Sequence, residues 1–189
     1  MRRTKSVHQP RSTGRLRAFF HNTAHLEFGE NGEMNSKVKA IPDGYRGATP
    51  YLTVKNAAGA IEFYQRAFGA TELFRHSDPS GRIGHAEIKI GEAVLMLSDE
   101  YPEMNVLSPE TIGGSPVGIH LYVEDVDAVV KNAVEAGAKV VRPVEDQFYG
   151  DRGGKITDPF GHHWWLATHK EDVSPEEMKK RAAAMYGGA

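Results

Sequence analysis

Two stretches of the chain carry the same succession of patterns. Tyr51-Leu-Thr-Val54 alternates in polarity as a half-buried strand does, and residues 57–68 then place Ala60, Ile61, Tyr64 and Phe68 at helical spacing. Gly69 follows at once, where a helix can end on a left-handed residue. Further on, Ile119-His-Leu-Tyr-Val123 alternates again. Residues 126–136 put Val126, Val129, Val130, Ala133 and Val134 on one helical face, and Gly137 stops them. After each glycine the period returns to two. The first copy has strand patterns at 71–75, 84–90 and 93–98; the second has them at 139–142, 154–157 and 162–167. The turns between them fall at Asp78-Pro-Ser-Gly81, Gly91-Glu92, 149–154 and Asp158-Pro-Phe-Gly161. Each copy therefore reads β-α-β-β-β, and the predicted fold class is α+β: two such modules forming a curved mixed sheet around a cleft.

A four-stranded sheet with one helix has one face covered by that helix; the other must meet water, a partner or a ligand. Alternation assigns the faces. Leu52, Val54, Ala86, Ile88, Leu97 and Trp164 fall on the helix side. The opposite side receives Thr49, Tyr51, Thr53, His85, Glu87, Met96 and Ser98 from the first copy. From the second it receives Gly118, His120, Tyr122, His163 and Trp165. That mixture of aromatic and polar groups is the composition of a small-molecule cleft.

Three further segments frame this unit. Residues 1–45 form a predicted extension outside the fold: its first 17 residues carry Arg2, Arg3, Lys5, Arg11, Arg15 and Arg17 with no acid, and no apolar core of a secretory signal follows them. Met34 opens a segment that would itself make an ordinary N-terminus. The compact unit is expected over 46–170, with modules at 48–100 and 117–169 joined by a Pro-, Gly- and Ser-containing linker, 101–116. Within 171–189, Ser174-Pro-Glu-Glu opens a C-terminal helix with an N-cap serine and proline at the first helical position.

Composition narrows the functional classes. A net charge of −2 gives no global electrostatic reason to expect nucleic acid or a membrane surface as partner. The absence of cysteine excludes disulfides, zinc ribbons and thiol catalysis, and fits a cytoplasmic setting.

The ordered set Tyr51-Leu-Thr-Val54, Ala60-Ile-Glu-Phe-Tyr64, Phe68-Gly-Ala70, His85-Ala-Glu-Ile88, Met96-Leu-Ser-Asp99 and Asp158-Pro-Phe-Gly-His162 resembles the PhnB-like branch of the glyoxalase/bleomycin resistance/dioxygenase (vicinal oxygen chelate) superfamily. The resemblance covers about 48–169. It implies paired modules, a ligand cleft and a homodimer. Metal-dependent members of that superfamily place His or Glu at four strand positions, which correspond here to Thr49, Met96, Gly118 and Trp165. None of these is a suitable ligand for zinc, nickel or iron(II), so neither a metal nor another cofactor is expected.

Two readings of the cleft follow. In one, the protein binds a small molecule without transforming it, using Tyr51, Thr53, Met96, Tyr122, Arg152, His163 and Trp165, with Arg152 available to an anionic group. In the other, a lyase, isomerase or dioxygenase uses His85, Glu87 and His120 as bases or as a facial triad. The two separate if those three side chains converge. His76 and His169, near strand ends, are expected to be solvated.

Overall fold

The computed structural model describes residues 38–187; most of the basic extension lies outside them. The first module consists of β1 (Tyr51–Val54), α1 (Ala57–Phe68), β2 (Thr71–Ser77), β3 (Ile83–Ile90) and β4 (Ala93–Asp99). The second consists of β5 (Gly118–Tyr122), α3 (Val126–Glu135), β6 (Lys139–Asp146), β7 (Asp151–Thr157) and β8 (His163–His169). Between them lie a 3₁₀ turn (Pro102–Met104) and a short helix, α2 (Pro109–Ile112); α4 (Pro175–Tyr186) follows the second module. The strand orders are β1-β4-β3-β2 and β5-β8-β7-β6, the same topology twice, with β1–β4 and β5–β8 parallel and the other pairings antiparallel. The two βαβββ modules are thus present. Among the described residues their sheets are hydrogen-bonded separately rather than as one continuous sheet.

The helices form where the pattern placed them because their ends are satisfied. Asn56 accepts from the Gly59 amide at 3.0 Å to start α1, and Gly69 ends it at φ 66°. The first amide of each long helix is also bonded from the end of the module's own last strand. Ala57 N donates to Asp99 at 2.7 Å, and Val126 N donates to Thr168 at 2.9 Å. Asp99 also accepts from Ile83 N at 2.7 Å, which explains a carboxylate at 8% exposure.

α1 and α3 pack on one another, and the apolar sides of both sheets close over them in a single cluster. Tyr64, Phe63, Ile61, Leu97, Ile156 and Trp164 are all fully buried in it. The join between the modules is aromatic, with the Phe68 and Trp164 rings 4.6 Å apart. It is pinned by buried Asp158, which accepts from Tyr64 Oη at 2.8 Å and Trp164 Nε1 at 2.9 Å. Both sheets therefore share one core and turn their other faces away from it.

The structure departs from the sequence reading in two places that matter below. β7 begins at Asp151, inside the stretch 149–154 expected to be a turn. Its glycines are strand residues. A Cβ on Gly153 would come within 2.8 Å of the Leu166 carbonyl oxygen, and one on Gly154 within 2.9 Å of that of Arg142. β6 runs four residues past the expected 142, through Pro143, with irregular pairing between Val140 and Arg142 and between Arg142 and Glu145.

Candidate functional site

Strand register sets a row of side chains across the open face of each sheet. In the first sheet the row is Tyr51, Met96, Glu87 and Phe74, on β1, β4, β3 and β2. Beside it His85 stands in contact with both outer rings, 5.6 Å from Tyr51 and 6.2 Å from Phe74. Glu87 Oε1 lies 3.2 Å from His85 Nε2, and Oε2 receives the Tyr45 hydroxyl at 2.5 Å. A carboxylate only accepts, so Nε2 carries the imidazole hydrogen. In the neutral ring Nδ1 is then free to accept from Tyr51 Oη, 3.1 Å away. Burial, and then the bond to Glu87 and its charge, push the Tyr45 phenol up to about 12; burial also raises that of Tyr51. The result is a continuous chain, Tyr51–His85–Glu87–Tyr45, across this face.

In the second sheet the corresponding row is His120, Trp165, Lys155 and Arg142, on β5, β8, β7 and β6. Trp165 is half-buried, with its indole against Gly118; a Cβ there would come within 3.1 Å of Cδ1 and Nε1. Lys155 Nζ is 5.2 Å and Arg142 Cζ 5.7 Å from the Trp165 ring centroid. His120 packs on Tyr122 at 4.7 Å. The Tyr122 hydroxyl donates to buried Asp151 at 2.7 Å, and the other Asp151 oxygen lies 2.7 Å from His169 Nδ1. Burial pushes the Asp151 carboxyl up, but the hydrogen bonds of His169 and Tyr122 outweigh it and leave it lowered. His169 faces Asp151 on one nitrogen and Asp172, at 3.0 Å, on the other, so both nitrogens donate and its pKa is raised.

The predicted site residues divide accordingly. His85 and Glu87 meet; His120 stands on the other sheet beside Tyr122. Among the described residues no three His, Asp or Glu side chains are grouped so as to hold a metal ion, so the facial triad is not assembled within one chain. Thr53 and Met96 lie half-buried on the first open face. His163, on the second, is tied to Thr157 Oγ1 at 2.9 Å. Arg152 does not face the cleft. With β7 starting at Asp151, alternation turns Arg152 to the helix side, where it bonds Asp127 at 2.7 and 2.8 Å and Asp146 at 3.2 Å. His169 is held between two carboxylates rather than simply solvated. Sequence reasoning missed Tyr45, Lys155 and Arg142. Tyr45 was assigned to the extension, yet it covers Glu87. Lys155 was recoverable: matching Trp165 to Met96 through the repeat sets Lys155 opposite Glu87 in the two rows.

At the four positions that the family resemblance sets against metal ligands, Thr49, Met96, Gly118 and Trp165, this chain offers a hydroxyl, a thioether, no side chain, and an indole. Met96 and Thr49 lie near one another, since Met96 N donates to Pro50 O at 2.9 Å, but neither suits zinc, nickel or iron(II). In the second sheet the Trp165 ring packs against Gly118 itself. This donor set does not fit a divalent metal.

An uncharacterized protein of Mycobacterium bovis, Mb0911c, is 43% identical over 143 residues, 74% of this chain and 94% of that protein. The X-ray structure of the Arabidopsis thaliana At5g48480 gene product superposes with a TM-score of 0.53 at 30% identity, over 64% of this chain and 97% of the other. A PhnB protein from Bacillus cereus superposes with a TM-score of 0.52 over 64% and 98% of the two chains; at 18% identity this likeness concerns the fold alone. Residues 46–166 match the family model described as Glyoxalase/Bleomycin resistance protein/Dioxygenase superfamily, and the chain belongs to that superfamily.

Proposed function

We propose that this protein binds a small organic molecule on its open sheet faces, that it does so without the divalent metal of the metal-dependent members, and that it works as a homodimer. The observation that carries the reading is the second face. A half-buried tryptophan, two cations and a histidine form one row there, with His120 and Arg142 exposed. A ring stacked on Trp165 would gain both the buried apolar area and the aromatic contact. Dimerisation is supported by the placement of the two open faces, which point away from a shared core: a second copy would supply a wall opposite either face.

The test is a thermal-shift screen of small molecules against the wild-type protein and Trp165→Ala, because a ligand of the native state raises the melting point. Compounds that stabilise the wild type should fail to stabilise the variant; an undiminished shift in Trp165→Ala would overturn the reading. The same assay with zinc, nickel, manganese and iron(II) should give no shift, and sedimentation should give a dimer.

One observation favours a second, catalytic reading. The Tyr51–His85–Glu87 chain is arranged as a base held by a carboxylate, with a phenol at its free nitrogen. His85→Ala separates the two readings. Binding of screened ligands survives the substitution if the face only binds, whereas turnover of any identified substrate is lost if His85 is the base.

A further inference from the structure

The second open face carries two cations that form no ion pair with the acids around them. Arg75, Arg82, Arg152 and Arg181 are each paired with a carboxylate. Lys155 and Arg142, side by side in register on β7 and β6, have no carboxylate partner among the described residues. Glu145, the acid of β6 nearest to them in register, forms no ion pair with either, and Asp146, paired in register with Arg152 on the other face, is taken by that arginine. The Trp165 indole N–H, beside Gly118, also has no hydrogen-bond partner among the described residues. Trp164, its neighbour facing the core, bonds Asp158 through the same atom. Three donors thus surround one ring, two of them charged.

Resting on the binding reading above, we infer that the ligand of this face is an aromatic organic anion. Its ring lies on Trp165, and its carboxylate or equivalent anionic group is taken by Lys155 and Arg142. The chemistry selects this occupant. A cationic ligand would be repelled by both charges. A neutral one would leave the Arg142 guanidinium and Lys155 ammonium without the charge-assisted bonds that make such groups effective in recognition. A second copy of this chain is the competing occupant, since the first face carries Glu87 at the equivalent point of its row. Glu87, however, is already bonded by Tyr45 and His85.

Three probes that share one ring system test this by calorimetry on the full chain: 2-naphthoate, 2-naphthylmethanol and 2-naphthylmethylammonium. The expected order of affinity is anion, then alcohol, then cation, with the anion's advantage shrinking as salt is raised. The double variant Arg142→Ala/Lys155→Ala should lose about tenfold or more in naphthoate affinity, while its affinity for the alcohol and its melting point stay near wild type. Alcohol binding as tight as naphthoate, or a double variant with undiminished naphthoate affinity, would overturn the anion inference and leave the binding reading standing. Failure of all three probes to bind would remove both. If the double variant, or the conservative Lys155→Gln, turns a dimer into monomers, the cations hold a second copy and the inference falls.

Discussion

The two open faces are built on the same topology and register, yet they differ in how far their polar groups are satisfied. On the first, Glu87 sits at the centre of the row and is closed off by Tyr45 from one side and His85 from the other. On the second, Lys155 occupies the equivalent place with its charge unmatched, beside an indole whose N–H points to no acceptor. The first face resembles a finished piece of structure, and the second a surface awaiting its complement. The repeated module supplies one topology twice, and the two rows differ by the reversal of one charge and by Met96 in the first where Trp165 stands in the second.

Several substitutions sharpen that contrast. The largest effect is expected at the adjacent tryptophans. Trp164→Ala should cost about 3–5 kcal/mol, as for a large aromatic removed from a packed core, whereas Trp165→Ala should cost far less and act on binding. Equal losses in denaturant unfolding would mean that the second face is core. Next, Glu87→Ala should destabilise by about 1–3 kcal/mol, since Tyr45 and His85 each lose a partner in a partly buried setting. Lys155→Ala should stay within about 0.5 kcal/mol, and the reverse order would break the comparison. Tyr45→Phe, which removes one hydrogen bond while keeping the ring, should cost about 1 kcal/mol.

The smallest effect concerns pH. His169 has its pKa raised in the folded protein, through its bonds to Asp151 first and then Asp172. The native state therefore binds this proton more tightly than the unfolded chain. Its contribution to stability is fully present below the ordinary value of 6.5 and is lost as pH rises through the raised folded value. Melting curves of the wild type and His169→Gln should thus converge as the solution is made alkaline; a difference that grows with pH would contradict the assignment.

The sequence made the modules legible because their signals are local. Alternation, helical period and stop glycines sit within a few residues of each element, and α1 and α4 fall where their caps place them. Face assignment held for the same reason for Tyr51, His85, Glu87, Tyr122 and Trp165. Arg152 was instead expected in a turn beside the cleft, because two glycines disguised the start of a strand as a turn. The Tyr45 contact was illegible because it spans 42 positions in sequence and joins a segment without periodicity to the sheet. The charge reversal between Glu87 and Lys155 was available in principle, but only once the repeat is aligned strand by strand.

Among the described residues, two separate sheets also mean four strands with one unpaired side. β6 is the most vulnerable of them: eight residues long, with Val140 and Val141 about half exposed. Such an edge is a template on which another chain can add a strand, the first step of aggregation. Here the edge carries its own defence. Pro143 withholds an amide in mid-strand, and the irregular pairing around Arg142 keeps the strand from lying flat. The irregular pairing on either side of Arg142, whose guanidinium stands 5.7 Å from the Trp165 ring centroid, therefore also works against strand addition at this edge.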